Sequence, residues 1–420
     1  MKLVLKNVGK VKNASVEIKG ITVIAGENDT GKSTVGKALF SIFNSFYDID
    51  KKIVSERIES INNQLRMLLR DASLGLNFYV NTEEWAVEIL KEIEAHNAGK
   101  KVLCELVYDH ILYYDESIAA NLTEDVIMET AERICKQYSV SENEILKSIL
   151  RRNLDAEFGG QVSNIYGDGK SYIQLKIRND EVNIQLWDNQ VADIDKYIKL
   201  GTEAIYVDDP FVLDELSYRT WNHNFRYLSH RSHLMGKLNT ELSDTNIIDE
   251  IIANEKLEKI LRKVSEVCTG NVVKEKRSMY RYQIGEQVLD VKNMSTGLKT
   301  FAILKKLLLN GCIEQNGTIV LDEPEIHLHP EWQLLFAELI VLLHKEFGLH
   351  ILLNTHSPYF LNAIEVYAAK YDVENKCKYY LARSESKESY IEDVSDCIEE
   401  IYRKLARPLQ ELENERYQYD

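Results

Sequence analysis

The chain has 420 residues, 45% of them hydrophobic and 28% charged, enough for two or three domains with a sizeable core and too many for one small module. Lysine and arginine number 51 against 67 aspartates and glutamates, a net charge of −16, which excludes a nucleic-acid binder working by overall positive charge and leaves DNA only a local groove. The six cysteines form no CxxC pair, MKLVLKNVGKVKN lacks an apolar leader, and the apolar stretch from Leu334 to Leu353 is broken by Glu338, His344, Lys345, Glu346 and His350, so a reducing, cytoplasmic setting with no export signal and no membrane span is expected.

From the start, Lys2 to Leu5 and Ser15 to Ile18 alternate polar and apolar residues around a turn at Gly9, and Ile21 to Ala25 is a short run of the buried-strand kind. Val35, Leu39, Ile42, Phe43 and Phe46 then follow helical spacing. Residues 1–46 therefore read as three strands, a glycine-rich turn and a helix. That turn, Gly26-Glu27-Asn28-Asp29-Thr30-Gly31-Lys32-Ser33-Thr34, fits GxxxxGK[ST] in the strand-then-helix context that gives the pattern its chemistry. Its backbone N–H groups and helix N-terminus suit an anion, Lys32 can reach the β and γ phosphates, and Ser33 offers a hydroxyl to Mg²⁺. Asp29 stands where glycine is commonest.

Residues 47–165 are charged and helical, with Ile58, Ile61, Leu65 and Leu68 spaced 3, 4 and 3; the register is too short for a long coiled coil and predicts a compact helical insertion. Period two returns at Ser171 to Trp187 around an Asn179–Asp180 turn, a hairpin. A strand at Ala204 to Val207, helices from Asp244 to Val267 and a hairpin around Tyr280, Tyr282 and Ile284 complete a segment 166–290. The remainder alternates strand and helix: Thr318 to Leu321, Trp332 to Phe347, Ile351 to Leu353, Pro358 to Ala368 and a terminal helix near Val394 to Leu405. This predicts an α/β fold with a mainly parallel sheet, its second half spanning 291–368 and followed by a strand and helix extension, 369–420.

Two strand ends carry further chemistry. NGTIVLDEPEIHLHP delivers Asp322 and Glu323 at the end of an apolar strand, where Asp322 would hold magnesium and Glu323 would polarise an attacking water. LLNTHSP puts His356 just past another strand, where its imidazole can hydrogen-bond a γ-phosphate.

With these motifs the sequence resembles the ABC-type ATPases of the SMC-like and OLD branch, known as AAA15 or AAA21 ATPases. LDEPEIHLHP and NTHSP are close to that branch's wording, and Met294-Ser295-Thr296-Gly297-Leu298-Lys299 looks like its LSGGQ-type signature ahead of a short helix. The resemblance covers residues 1–46 and about 290–365. It implies an ABC-type P-loop head with a mixed sheet, an antiparallel β subdomain and a helical insertion. ATP and Mg²⁺ are then the cofactors, with Lys32, Glu323 and His356 catalytic and Ser33 and Asp322 on the metal; hydrolysis is expected to be slow because the family's Q-loop glutamine is missing after Ala204 to Pro210. It further implies a head-to-tail dimer in which Ser295 and Gly297 of one subunit close over the nucleotide of the other, with the residues around His329 between the sites. The family strand before a Q-loop falls at Ala204 to Pro210, but no glutamine ends it; Asp208 or Asp209 near the metal, or a polar turn, are the readings there.

Only 64 residues follow His356, and Glu392, Asp393 and Asp396 lack the strand pattern of the Toprim nuclease that many OLD members append. An ATPase with an insertion and no nuclease resembles the ATPase subunits of two-gene anti-phage systems such as Septu and PARIS, so a separate effector, a nuclease or toxin, is the expected partner. The alternative is an SMC-like repair ATPase that clamps DNA directly; a transporter subunit fits worse. Outside the motifs, His230-Arg231-Ser232-His233 with Arg219 and Arg226 offers a metal or phosphate site or a solvated face, and Tyr218, Trp221, Phe225 and Tyr227 beside those cations a nucleic-acid contact. Lys274, Lys276, Arg277 and Arg281 form a smaller basic patch, and His327-x-His329 has strand-ligand spacing. The insertion and the face formed by Ile398, Ile401, Tyr402 and Leu405 are candidate partner surfaces.

Overall fold

The computed structural model describes residues 1–72, 81–96, 99–216, 229–240, 257–275 and 279–416. The expectations at Tyr218, Arg219, Trp221, Phe225, Arg226 and Tyr227, at residues 244–256, and at Lys276 and Arg277 lie outside them. The chain forms two compact units, Asp48–Ile149 and the remainder, Met1–Tyr47 with Leu150–Asp420.

In chain order, β1 (Lys2–Val8), β2 (Val11–Glu17), β3 (Ile21–Gly26) and α1 (Lys32–Phe46) open the larger unit. The smaller unit is helical: α2 (Ile49–Ala72), α3 (Thr82–His96), α4 (Lys100–Tyr114), α5 (Glu116–Ala120) and α6 (Glu124–Tyr138), followed by α7 (Glu142–Phe158). Its core is built from apolar residues three and four apart, such as Ile61, Leu65 and Leu68 on α2, Leu103, Val107 and Ile111 on α4, and Ile127, Ala131 and Ile134 on α6, the stripe by which an amphipathic helix buries one side.

The larger unit continues with β4 (Lys170–Ile177), β5 (Asp180–Trp187), β6 (Gln190–Ile194), β7 (Ala204–Val207), α8 (Val212–Glu215) and α9 (His230–Asn239). The described end of a helix, 257–265 (α10), leads to β8 (Asn271–Lys274), β9 (Tyr280–Ile284) and β10 (Gln287–Asp290). Then come α11 (Thr296–Leu309), β11 (Thr318–Asp322), α12 (Pro330–Phe347), β12 (His350–Thr355), α13 (Pro358–Lys370), β13 (Cys377–Glu385), β14 (Glu388–Asp393) and α14 (Glu399–Arg416). The terminal helix thus starts later and runs further than the sequence pattern suggests.

An 11-stranded mixed sheet runs β6-β5-β4-β1-β2-β14-β13-β3-β12-β11-β7, and β10-β9-β8 form a separate antiparallel sheet. The α/β class, the mixed sheet, the small antiparallel sheet and the helical unit are those the motifs imply. β3, β12, β11 and β7 are mutually parallel neighbours, and β3 is buried along its whole length, as a strand covered on both faces must be. All four end at one edge of the sheet, which is where the candidate site lies. The C-terminal hairpin β13–β14 inserts between β3 and β2, in parallel with each. Ile401 is fully buried, and Ile398, Tyr402 and Leu405 pack on the core of the larger unit, so this face of α14 is an internal seam and not the partner surface anticipated above. Among the described residues no helix is long and apolar enough to cross a membrane.

Glu338 on α12 ties three helices together. Its carboxylate accepts from Lys370 Nζ and Tyr371 Oη, both at 2.7 Å, and pairs with Lys263 Nζ at 3.0 Å, while the residue is only 4% exposed. Burial would raise its pKa, but these donors hold the carboxyl down at about 2. The lysines that Glu338→Gln leaves behind still reach solvent, so the exchange is expected to cost about 1.5–3 kcal/mol, the range for a hydrogen bond to a charged group. A carboxylate with a depressed pKa stabilises the fold above its unfolded pKa and loses that contribution as pH falls toward the folded one. The gap in denaturation midpoint between wild type and Glu338→Gln should therefore be largest near neutrality and narrow below about pH 4.5; a gap independent of pH would refute this account.

Candidate functional site

The glycine-rich loop joins the end of β3 to α1. Gly31 precedes the helix with φ +81°, and a Cβ there would lie 2.7 Å from Val11 Cγ2, so both the left-handed backbone and the close approach of β2 require glycine. Thr30 Oγ1 donates to the carbonyl of Glu27 at 2.8 Å, and Thr34 N donates to that of Gly31 at 3.1 Å. Asn28 and Asp29 are exposed, Asp29 with φ +61° and paired with Lys10 from the β1–β2 turn. Glu27 pairs at 3.1 Å with Lys404 of α14.

Lys32 is 4% exposed, and its Nζ donates to the carbonyls of Gly26 at 3.1 Å and Glu27 at 2.9 Å. The same ammonium stands 3.2 Å from Glu323 Oε1. His356 Nδ1 lies 3.5 Å from that oxygen, so Glu323 sits between the lysine of one strand end and the histidine of another. Glu323 has φ +51° and its N–H donates to Asn354 O at 2.9 Å. A left-handed backbone at a residue other than glycine costs of order ~1–3 kcal/mol and persists where its surroundings impose it.

Asp322 ends β11. Tyr206 Oη donates to its Oδ2 at 2.6 Å and Asn354 Nδ2 to its Oδ1 at 2.8 Å. Burial, and then the charge of Asp322, pushes the Tyr206 phenol well above its ordinary pKa, so it donates at any working pH. Ser33 in the first turn of α1 and Asp322 supply hard oxygens of the kind Mg²⁺ takes.

Glu325 was not singled out by its pattern. It is 2% exposed, its Oε1 accepts from Thr355 Oγ1 at 2.5 Å and from the N–H of His356 at 3.3 Å, and its Oε2 has no hydrogen-bond partner among the described residues. Burial raises its carboxyl above the usual range. The loop after β11 is thereby laced to the loop after β12. The only hint in the sequence is a second glutamate within DEPE.

The signature segment lies apart from these groups. Ser295 is exposed and caps α11, accepting from Leu298 N at 3.4 Å. Gly297 is buried, and a Cβ on it would fall 2.9 Å from His327 O and 3.1 Å from the Trp332 ring, so it lets α11 start against the loop before α12. Among the described residues no hydrogen bond or ion pair joins Ser295 to Lys32, Glu323 or His356.

The cations of α9 hold the turn after β7 and are not an open site. His230 uses Nδ1 on Glu157 at 2.6 Å and Nε2 on Asp208 at 2.9 Å. Burial would lower its pKa, but the two carboxylates raise it to about 9, and among the described residues no group of three or more His, Cys, Asp or Glu side chains is arranged to hold a metal ion. Arg231 bonds Asp209 at 2.8 Å and Glu215 at 2.9 Å, and His233 bonds Glu203 at 2.6 Å. The metal and phosphate readings of this cluster are thus corrected, and Asp208 and Asp209 form an ion-paired polar turn. Arg281 pairs with Asp290 at 2.7 Å, and the His327 ring meets Phe211 edge-on at 6.0 Å.

The family model AAA_15, AAA ATPase domain, matches residues 1–361. The retron Vc95 probable ATPase of Vibrio cholerae serotype O1 biovar El Tor is 22% identical over 399 residues, covering 86% of this chain and 70% of its own. Among solved structures, the SMC head domain from Thermotoga maritima is 12% identical, covers 94% of this chain and 98% of that one, and superposes with a TM-score of 0.40. The SmcHead bound to the C-winged helix domain of ScpA is 13% identical over 93% and 96% of the two chains, with a TM-score of 0.41.

Proposed function

We propose, starting from a chain that belongs to the AAA ATPase domain family AAA_15 and is an ATPase of that kind, that it holds Mg²⁺-ATP between two copies of itself and uses the closed assembly to restrain or activate a separate effector in anti-phage defence. The observation that supports this most is the convergence of Lys32, Asp322, Glu323 and His356 on one sheet edge with Ser295 exposed and outside that cluster. Lys32 and the loop N–H groups would carry the phosphates, Ser33 and Asp322 the magnesium, Glu323 the attacking water and His356 the γ-phosphate. A second copy, turned head to tail, would supply Ser295 at the start of α11 to complete the site, with Gly297 buried behind it. ATP then favours the closed dimer through γ-phosphate contacts that ADP lacks. A relative named as the probable ATPase of a retron supports the defence context, with a nuclease or toxin as effector.

Native mass of the protein, alone and with the product of the neighbouring gene, each with ATP and Mg²⁺, tests this. An ATP-dependent dimer that retains the neighbour is the expected result; one that ignores it and retains DNA would favour direct clamping. Ser295→Asn keeps a capping oxygen on α11 while altering the surface offered to the partner. It is expected to weaken ATP-dependent dimerisation roughly tenfold or more with nucleotide affinity of the monomer unchanged. Equal loss of both would remove Ser295 from the interface.

A further inference from the structure

No glutamine follows β7, yet this strand reaches the candidate metal site in another way. β7 pairs with β11 with Tyr206 opposite Val320, and β12 pairs on the other side with Asn354 opposite Asp322. Residues two apart on a strand share a face, so Tyr206, Val320, Asp322 and Asn354 all point to the side covered by α1. There the Tyr206 hydroxyl and the Asn354 amide each take one oxygen of Asp322, at 2.6 and 2.8 Å.

The seat of the phenol is built from two directions. A Cβ on Gly36 would fall 2.9 Å from Val320 Cγ1 and 3.2 Å from the Tyr206 oxygen. A glycine inside a helix costs about 1 kcal/mol relative to alanine, and here it leaves room for that hydroxyl between α1 and β11. Behind the ring, His230 stacks on Tyr206 with centroids 4.4 Å apart and is itself held by Glu157 and Asp208.

We propose that Tyr206 is a positioning residue for the magnesium carboxylate: with Asn354 it fixes the rotation of Asp322 so that the lone pairs left over face the cation beside Ser33. This rests on the reading of Asp322 given under the proposed function. A carboxylate already ordered by two buried donors need not be ordered when the cation binds, and outer partners of this kind tune metal affinity. Gly36 and His230 act through Tyr206, one by leaving space and the other by backing the ring.

The test is ATP binding by calorimetry in a Glu323→Gln background, over a Mg²⁺ series and in EDTA. Tyr206→Phe removes one oxygen and keeps the ring on His230. It is expected to raise the Mg²⁺ concentration needed for half-maximal tight binding roughly 10- to 150-fold, the worth of one hydrogen bond to a charged group, with affinity in EDTA unchanged. Gly36→Ala, which displaces the hydroxyl without deleting it, should move the same midpoint in the same direction. An unshifted midpoint in Tyr206→Phe overturns the proposal, and so does an equal loss with and without Mg²⁺, which marks a damaged fold or phosphate pocket. If the parent protein binds ATP with no Mg²⁺ dependence, the reading of Asp322 itself fails, an outcome distinct from the other two.

Discussion

Glu323→Gln is expected to slow ATP turnover by roughly 100-fold or more while ATP remains bound, because positioned general-base groups contribute about 10²–10⁴ to such reactions. The side chain sits 3.2 Å from Lys32 Nζ and 3.5 Å from His356 Nδ1, so its amide replacement keeps the shape and one acceptor while losing the charge that polarises water. The backbone at this residue, φ +51° and tied through its N–H to Asn354, is set by the loop and is unaffected by the exchange. Single-turnover hydrolysis with nucleotide retention measured in parallel decides the matter. Wild-type turnover would show that Glu323 is not the base, and loss of ATP retention would show that its charge serves binding.

The parts of this site that were legible in the sequence are those whose chemistry is local. Gly26 to Ser33 carries its strand, turn and helix within a few residues, and DEPE and NTHSP each follow an apolar strand that predicts where its end lies. Tyr206 was not legible, because its partner Asp322 is 116 residues away and only the parallel pairing of β7 with β11 brings them together. The same blindness misread α9: His230 and Arg231 look like free cations in sequence, whereas Glu157, 73 residues distant, and Asp208 claim both ring nitrogens of His230. The place of β13 and β14 was hidden for a related reason. A period-two pattern marks a strand but not its neighbours, and nothing in Cys377–Asp393 says that the hairpin enters the sheet between the two N-terminal strands β2 and β3.

Lys32 carries the other large expected effect. Its ammonium holds two loop carbonyls and faces Glu323, and in the proposed reading the phosphates of ATP draw it away, which also frees Glu323 for water. Lys32→Ala should therefore lower ATP affinity by roughly 100-fold or more, since a charge-assisted contact to phosphate is about twice as strong as a neutral one and the lysine reaches two phosphates. Deleting a buried donor also strands the carbonyls of Gly26 and Glu27, at a cost of about 1–3 kcal/mol, so a lower melting temperature alone would not separate a lost charge from a loosened loop. Lys32→Met strands the same two carbonyls but preserves most of the buried stem, so it takes away the packing defect that Lys32→Ala adds and leaves only the loss of the ammonium. Both variants should fail to bind ATP by calorimetry, with the methionine protein closer to wild type in melting temperature. If Lys32→Met binds ATP as the wild type does, the ammonium serves only to pin Gly26, Glu27 and Glu323 together, and the phosphate reading of this loop falls with it.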